Sequence, residues 1–165
     1  MRIGILTVSD RASRGEYQDL SGPLIASMIQ RLTSWHVAQQ AIVADEMGDI
    51  ASHLLEWSDS GLNLIFTTGG TGFSPRDVTP EATLRVIERE APGIAEALRY
   101  ESMKITRHAM LSRARAGIRG QTLIINLPGS QKAVKESLDI LLPVLPHALD
   151  LLVGHGGAEN EHRAV

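Results

Sequence analysis

The run TGGTGFSPRDVTPE, at residues 68–81, is the part of the sequence best suited to chemistry. Its glycines follow an apolar, strand-like segment, where backbone amides can approach a ligand closely and point at an anion. The run is not a P-loop, because no Gly-Lys-Ser/Thr follows, and it lacks the Gly-x-Gly-x-x-Gly spacing of a dinucleotide fingerprint. The proline-fixed Arg76-Asp77 pair and the helix start at Thr79 strengthen the prediction of a ligand-binding loop.

Two carboxylates stand beside predicted strand ends: Asp77 after the glycines and Asp45 after the second strand. Carboxylates in such places can hold the Mg²⁺ that nucleotide chemistry usually requires. Each has a structural alternative, because Asp77 could cap a helix or pair with Arg76, and Asp45 could cap the helix that begins near Glu46. The residues alone leave these alternatives open, although two carboxylates at two strand ends could share one metal.

Two further regions are candidates for ligand contact. The polar loop at residues 9–23 is long for a strand-to-helix connection, and such loops are often functional, although an exposed surface loop is the alternative. Four arginines cluster at residues 107–119 and could hold phosphates, but a solvated basic face is the favoured interpretation. No Ser/His/Asp arrangement and no metal-ligand spacing of histidines is evident.

Apolar runs alternate between strand and helix patterns along the chain. We predict strands at residues 2–9, 36–44, 62–67 and 121–126. We predict helices after an N-cap at Ser21, at 50–57, from a cap at Thr79 to about residue 90, at 93–104, and in two pieces around Pro143 and Pro146, with residues 105–120 partly loop. This alternation predicts an α/β fold of three layers: a mainly parallel sheet with helices on both faces, and ligands beyond the carboxyl ends of the strands.

Composition narrows the classes of protein. The chain has 165 residues, which predicts one domain at residues 1–153 followed by a disordered tail at 154–165. The absence of cysteine excludes disulfides, thiolate metal sites and a cysteine nucleophile. A net charge of −3 and 4% aromatic residues argue against a nucleic-acid partner. No apolar run approaches a membrane span or a signal peptide, so we expect no membrane partner and a cytoplasmic location.

Four motifs in fixed order carry a family resemblance. They are SDRAS at 9–13 with DLSGP at 19–23, the run at 68–81, LSR at 111–113 with AGIR at 116–119, and INLPGS at 125–130. With these motifs the chain resembles the molybdopterin adenylyltransferases, which include bacterial MogA and the G domains of plant and animal molybdenum-cofactor proteins such as gephyrin. The resemblance covers the chain from Ile3 to about Val153.

The resemblance implies a MogA/MoaB-like molybdopterin-binding fold and a reaction in molybdenum-cofactor biosynthesis. ATP and molybdopterin, with Mg²⁺, would give adenylyl-molybdopterin and pyrophosphate. Asp45 and Asp77 match catalytic or metal-linked positions, and Ser102 matches a position important for activity. The positions that match regions lining the pterin and nucleotide site are Ser9, Asp10, Asp19, Ser21, Gly22, Thr68, Gly69, Gly70, Thr71, Gly72, Asn126, Pro128, Gly129 and Ser130.

The family is typically trimeric, so the resemblance also implies a homotrimer and possible docking on the protein that inserts molybdate. Alternatives are a non-catalytic molybdopterin-binding paralogue, a trimeric scaffold, or another nucleotide-dependent transferase such as a kinase. Release of pyrophosphate rather than ADP would distinguish adenylyl transfer from a kinase reaction.

Overall fold

The computed structural model describes residues 1–154, which form a six-stranded sheet covered by helices on both faces. The strands are β1 (Arg2–Val8), β2 (His36–Val43), β3 (Leu64–Thr68), β4 (Arg89–Glu90), β5 (Ala116–Arg119) and β6 (Thr122–Leu127). Their order across the sheet is β2-β1-β3-β6-β5-β4, parallel from β2 to β6 and antiparallel beyond. The three-layer, mainly parallel fold is confirmed; most of the predicted tail, residues 155–165, lies outside the described residues.

The helices account for most of the rest of the chain. They are α1 (Asp10–Ser13), α2 (Ser21–Leu32), α3 (Met47–Asp59), α4 (Thr79–Val86), α5 (Pro92–Met103), α6 (Gln131–Leu141) and α7 (Leu145–Val153), with a 3-10 helix at Arg107–Leu111. The two predicted pieces after residue 130 are confirmed as α6 and α7. Within residues 1–154, no helix is long and apolar enough to cross a membrane.

The sheet is buried on both faces, and alternate residues of a strand enter different cores. Ile3 and Ile5 of β1 pack with α2, α5, α6 and α7, whereas Leu6 and Val8 pack with α3 and α4. Strands of this kind read as continuous apolar runs rather than as alternating ones, which explains why β1, β3 and β6 could be predicted from the sequence. The two cores fix the strands so that their carboxyl ends meet at one edge.

Three expectations about local structure were wrong. Helix α4 ends at Val86 rather than near residue 90, because the chain turns into β4, which pairs with β5. Neither of these short antiparallel strands was predicted. The first loop also contains a turn of helix, α1, which Ser9 caps by accepting a hydrogen bond from the amide of Ala12.

Neither predicted helix cap acts as one. Ser21 is the first residue of α2, and its hydroxyl donates to the carbonyl of Gly129, while Asp19 accepts from the first amides of the helix. Thr79 is the first residue of α4, and its hydroxyl donates to the carbonyl of Gly69. Both hydroxyls therefore join a helix start to a loop at the edge of the sheet.

Candidate active site

The loops after β1, β3 and β6 are joined to one another at the carboxyl edge of the sheet. The hydroxyl of Thr68 donates to the carbonyl of Pro128 at 2.7 Å, and that of Ser21 donates to Gly129 at 2.8 Å. The amide of Gly69 donates to Leu127 at 3.3 Å. These three loops therefore converge at one edge of the sheet, and hydrogen bonds between loops maintain the arrangement.

The glycine loop needs two glycines for its backbone and for space. Gly69 and Gly70 have φ angles of +99° and +64°, which residues other than glycine rarely adopt. A Cβ at Gly69 would lie 2.3 Å from the carbonyl oxygen of Val8, and one at Gly70 would lie 3.1 Å from Asp45 Oδ1. The loop therefore lies directly against the end of β1 and beside the Asp45 carboxylate.

Asp45 is tied to the first loop rather than to helix α3. The Asp10 amide donates to Asp45 Oδ2 at 2.7 Å, and the Asp45 amide donates to Asp10 Oδ1 at 3.0 Å. Helix α3 begins at Met47 without a side-chain cap, so the alternative role of Asp45 as its cap is excluded. Burial raises the pKa of Asp45, and the negative charges of Asp10 and Asp77 raise it further.

Asp77 lies against the glycine loop and has neither of its alternative roles. Its Oδ2 accepts a hydrogen bond from the amide of Ser74 at 2.9 Å, and a Cβ on Gly72 would lie 2.9 Å from the same oxygen. Val78, not Asp77, flanks the start of α4. Arg76 forms its ion pairs with other carboxylates, Asp10 and Glu46.

Both predicted metal ligands lie against the glycine loop, Asp45 beside Gly70 and Asp77 beside Gly72, and the negative charge of Asp77 raises the pKa of Asp45. Two carboxylates that repel each other, one of them partly desolvated, suit a hard divalent cation. In the described part of the chain, no group of three or more His, Cys, Asp or Glu side chains could hold a metal. Mg²⁺ usually binds through one or two carboxylates and takes its other ligands from water and substrate phosphates, so this donor set fits it.

Most of the other predicted site residues line one of two cavities. A cavity of about 320 Å³ is lined by Ser9, Asp19, Ser21, Thr68, Gly69, Gly129 and Ser130, together with Tyr17. A second, of about 290 Å³, is lined by Thr71, Gly72, Ser102, Asn126 and Pro128, together with apolar side chains such as Leu98 and Ala114. Asp10, Gly22, Asp45, Gly70 and Asp77 lie outside both linings. The glycine loop contributes to both cavities.

Two of the predicted binding residues have side chains that are engaged within the protein. The buried amide of Asn126 donates to Thr67 at 2.9 Å and to Thr83 at 2.8 Å, and its oxygen accepts from the amide of Arg115. Asp19 accepts from Thr7 and from the amides that begin α2. These contacts position the loops, and direct ligand contact by either side chain stays a prediction.

Arg113 is a site residue that the sequence did not reveal. Its Nε donates to the carbonyl of Gly72 at 2.7 Å, its Nη2 donates to the carbonyl of Asp77 at 2.5 Å, and its Nη1 pairs with Glu81. The favoured interpretation of this arginine as part of a solvated basic face was therefore wrong. Arg115 and Arg119 do form partly exposed ion pairs, with Glu90 and Asp59.

Comparison with known proteins agrees with this fold. A family model described as "Probable molybdopterin binding domain" matches residues 4–147. Over 163 residues the chain is 43% identical to the molybdopterin adenylyltransferase of Helicobacter pylori (strain J99), covering 98% of the chain and 93% of that protein. It is 45% identical over 159 residues to gephyrin from Dictyostelium discoideum, covering 91% of the chain but only 22% of gephyrin.

The fold is also similar to that of solved molybdopterin-biosynthesis proteins. The molybdopterin biosynthesis enzyme MoaB from Thermus thermophilus superposes with a TM-score of 0.86 at 50% sequence identity. The alignment covers 93% of this chain and 96% of that one.

Proposed function

Because the chain belongs to the molybdopterin-binding domain family, we propose that it is a molybdopterin adenylyltransferase in molybdenum-cofactor biosynthesis. It would join the phosphate of molybdopterin to the α-phosphate of ATP and release pyrophosphate. Two observations support the proposal: the chain covers nearly the whole of an adenylyltransferase relative, and the carboxylates of Asp45 and Asp77 both lie against the glycine loop. ATP as co-substrate, Mg²⁺ and a cytoplasmic location are parts of this proposal.

The residues at this edge can position two anionic substrates. In phosphoryl-type transfer the protein mainly orients groups and offsets charge, and the nucleophile here is the phosphate of the pterin itself. Asp45 and Asp77 would hold Mg²⁺, which neutralises negative charge on the reacting phosphates when it is bound. The positive φ angles of Gly69 and Gly70 give the loop a backbone shape that can turn amide groups toward phosphate oxygens.

The two cavities offer different surroundings for the two substrates. The cavity beside Ser102 has Leu98, Ala114 and Pro128 in its lining, and such apolar surfaces suit a flat ring. The cavity beside Ser9 has the hydroxyls of Ser21 and Thr68 near its wall, which suits polar groups. Since the glycine loop lies between them, ligands in both cavities would have their phosphates meet near Asp45 and Asp77.

The test is incubation of the chain with molybdopterin, ATP and Mg²⁺, followed by assay of adenylyl-molybdopterin and pyrophosphate. Asp77→Asn is expected to lower turnover by at least a hundredfold, because metal and oxyanion contacts usually contribute about 10²-fold or more. The amide can still accept from Ser74, so molybdopterin binding should be largely preserved. Asp59→Asn, which alters an exposed aspartate paired with Arg119, is the matched control and should retain activity.

Three results would contradict the proposal. Tight molybdopterin binding without turnover by the unaltered chain would assign a carrier or scaffold role. Formation of ADP instead of pyrophosphate would indicate a kinase. Full activity of the Asp77→Asn variant would remove Asp77 from the site.

We also propose that the chain forms a homotrimer, as the family resemblance implies. Large apolar side chains that stand exposed on and beside α5 support an interface there: Tyr100 is 61% exposed, Ile105 55% and Met110 60%. Light scattering at micromolar concentration should give three times the mass of one chain. Docking on the molybdate-inserting protein stays a prediction.

A further inference from the structure

Arg76 occupies an unusual place for a surface arginine, because it links two loops across the carboxylates of the site. Its Nε and Nη2 donate to the two oxygens of Asp10, both at 3.0 Å, and Nη2 also donates to Glu46 at 2.8 Å. It precedes Asp77 in the chain, and Asp10 is bonded to the backbone of Asp45. The guanidinium is therefore linked through Asp10 to Asp45, one of the two proposed metal ligands.

The geometry points to Arg76 as a phosphate-binding residue that exchanges its carboxylate partners for a substrate phosphate, an inference that rests on the proposed adenylyl transfer. A guanidinium binds a carboxylate and a phosphate with the same two-pronged arrangement of donors. In the described structure Asp10 takes that position, and on substrate binding a phosphate oxygen pair takes it.

The partners of Arg76 are weak enough to give way. The side chain of Arg76 is 52% exposed and that of Glu46 57% exposed, so water screens this ion pair and it contributes little. The side chain of Asp10 is 24% exposed, so its two-pronged pair with Arg76 is screened less and is the stronger of the two. A phosphate carries more negative charge than a carboxylate, so it competes well for the same donors. Exchange therefore has a small cost in folding stability and a larger gain in substrate binding.

The first loop keeps its position when Arg76 leaves. Asp10 Oδ1 also accepts from the amide of Asp45, and the amide of Asp10 donates back to Asp45 Oδ2. These two backbone contacts do not involve the arginine. Asp10 and Glu46 thus hold the Arg76 guanidinium at the edge of the site while no substrate is bound.

The experiment measures equilibrium dissociation constants for Mg-ATP and for molybdopterin separately, alongside turnover. Arg76→Gln is expected to weaken binding of one of these ligands by about tenfold, the effect of losing one charge-assisted hydrogen bond. Weaker ATP binding assigns the contact to the nucleotide, and weaker molybdopterin binding assigns it to the pterin phosphate. Unchanged affinity for both ligands would overturn the inference.

Glu46→Gln supplies a test of opposite sign. If Glu46 competes with the phosphate, its removal frees Arg76, and affinity for the same ligand should rise by about threefold, within the range of one exposed ion pair. If Arg76 had only a structural role, both substitutions would weaken binding. The gain must also vanish in the double variant with Arg76→Gln, because a gain that persists there would be a general effect of charge and would overturn the exchange.

The matched control is Arg14→Gln. Arg14 forms an equally exposed two-pronged ion pair with Glu16 in the first loop, and no contact of this pair reaches Asp45 or Asp77 in the described structure. This variant should bind both ligands as the unaltered chain does. Circular dichroism and thermal unfolding establish that each variant is folded. If the unaltered chain does not turn over, the proposed function fails; if it does, and the Arg76 variants bind normally, only this inference fails.

Discussion

Two arginines flank Asp77, and they differ in what they hold. Arg113 donates to the backbone carbonyls of Gly72 and Asp77 and pairs with Glu81 from a position about two-thirds buried. Arg76 donates to the carboxylates of Asp10 and Glu46 from an exposed position. A half-buried backbone carbonyl that loses its donor is costly, whereas the exposed carboxylate of Glu46 is readily solvated and that of Asp10 keeps its backbone hydrogen bond.

Arg113 is therefore a fixed support of the loop that carries Asp77, and Arg76 is an exchangeable contact on the same loop. Arg113 sets the shape of the segment between Gly72 and Asp77, so the Asp77 carboxylate does not depend on substrate for its position. Arg76 leaves its partners at small cost. A loop that meets a charged ligand gains from having both, because the proposed metal ligand Asp77 stays in place while the neighbouring Arg76 moves.

The largest effect in this comparison should come from Arg113→Ala. Its removal leaves two carbonyls and the partly buried Glu81 carboxylate without their donor, and we expect a loss of roughly 3 kcal/mol in the free energy of unfolding. Urea denaturation measures it. Arg113→Lys keeps the charge but not the forked donors, so its free energy of unfolding should lie between those of the unaltered chain and Arg113→Ala. A loss no greater than that of Arg76→Gln would remove the distinction between the two arginines.

An intermediate effect is expected from Asp45→Asn. Burial raises the pKa of Asp45 above its ordinary value of 3.8, so the folded protein binds a proton that the unfolded chain has already released. This carboxyl therefore lowers stability progressively as pH rises above that value. The variant should be more stable at neutral pH, with the gain shrinking toward acid pH.

Urea unfolding at a series of pH values tests this expectation, with Asp139→Asn on the surface of α6 as the control. Asp10→Asn should show the reverse trend. The hydrogen bond from Arg76 lowers the pKa of Asp10, so its stabilising contribution is present above the ordinary value and is lost as pH falls through the lowered one. A gain for Asp45→Asn that did not vary with pH would exclude the desolvated carboxyl as its cause.

The smallest effect should come from Arg76→Gln on folding. Arg76 itself is half exposed and its pair with Glu46 is exposed, so we expect the free energy of unfolding to fall by about 1 kcal/mol or less. Thermal and urea unfolding at low and high salt would measure it, and the difference from the unaltered chain should shrink as salt screens the pairs. A loss comparable to that of Arg113→Ala would make Arg76 a structural residue.

The layers of the fold followed from patterns within single segments. The strands β1, β3 and β6 are short apolar runs, and the polar and glycine residues after them marked the loops that meet at the edge. Long buried runs need no distant partner to be recognised. Asp45 and Asp77 could be proposed for the same reason, since each follows a recognisable strand and matches a family motif.

The features that could not be predicted from the sequence depend on contacts between distant segments. Strands β4 and β5 have two and four residues, too few for a pattern, and form because they pair with each other and with β6. Arg113 reaches Asp77 only because the 3-10 helix and β5 return the chain to the glycine loop. Ser21 and Thr79 resembled caps, but each hydroxyl found a loop carbonyl that no local sequence could reveal.

The sheet order has a consequence for how the protein is made on the ribosome. Strand β3 lies between β1 and β6, so one of its edges is paired by a strand encoded near the start of the chain and the other by Thr122–Leu127. A nascent chain therefore carries an open apolar edge from the synthesis of β3 until that of β6, and open edges invite pairing with other chains. The glycine loop follows β3 directly and is held by the loop after β6, so the carboxyl end of the sheet is completed only after most of the chain has been synthesised.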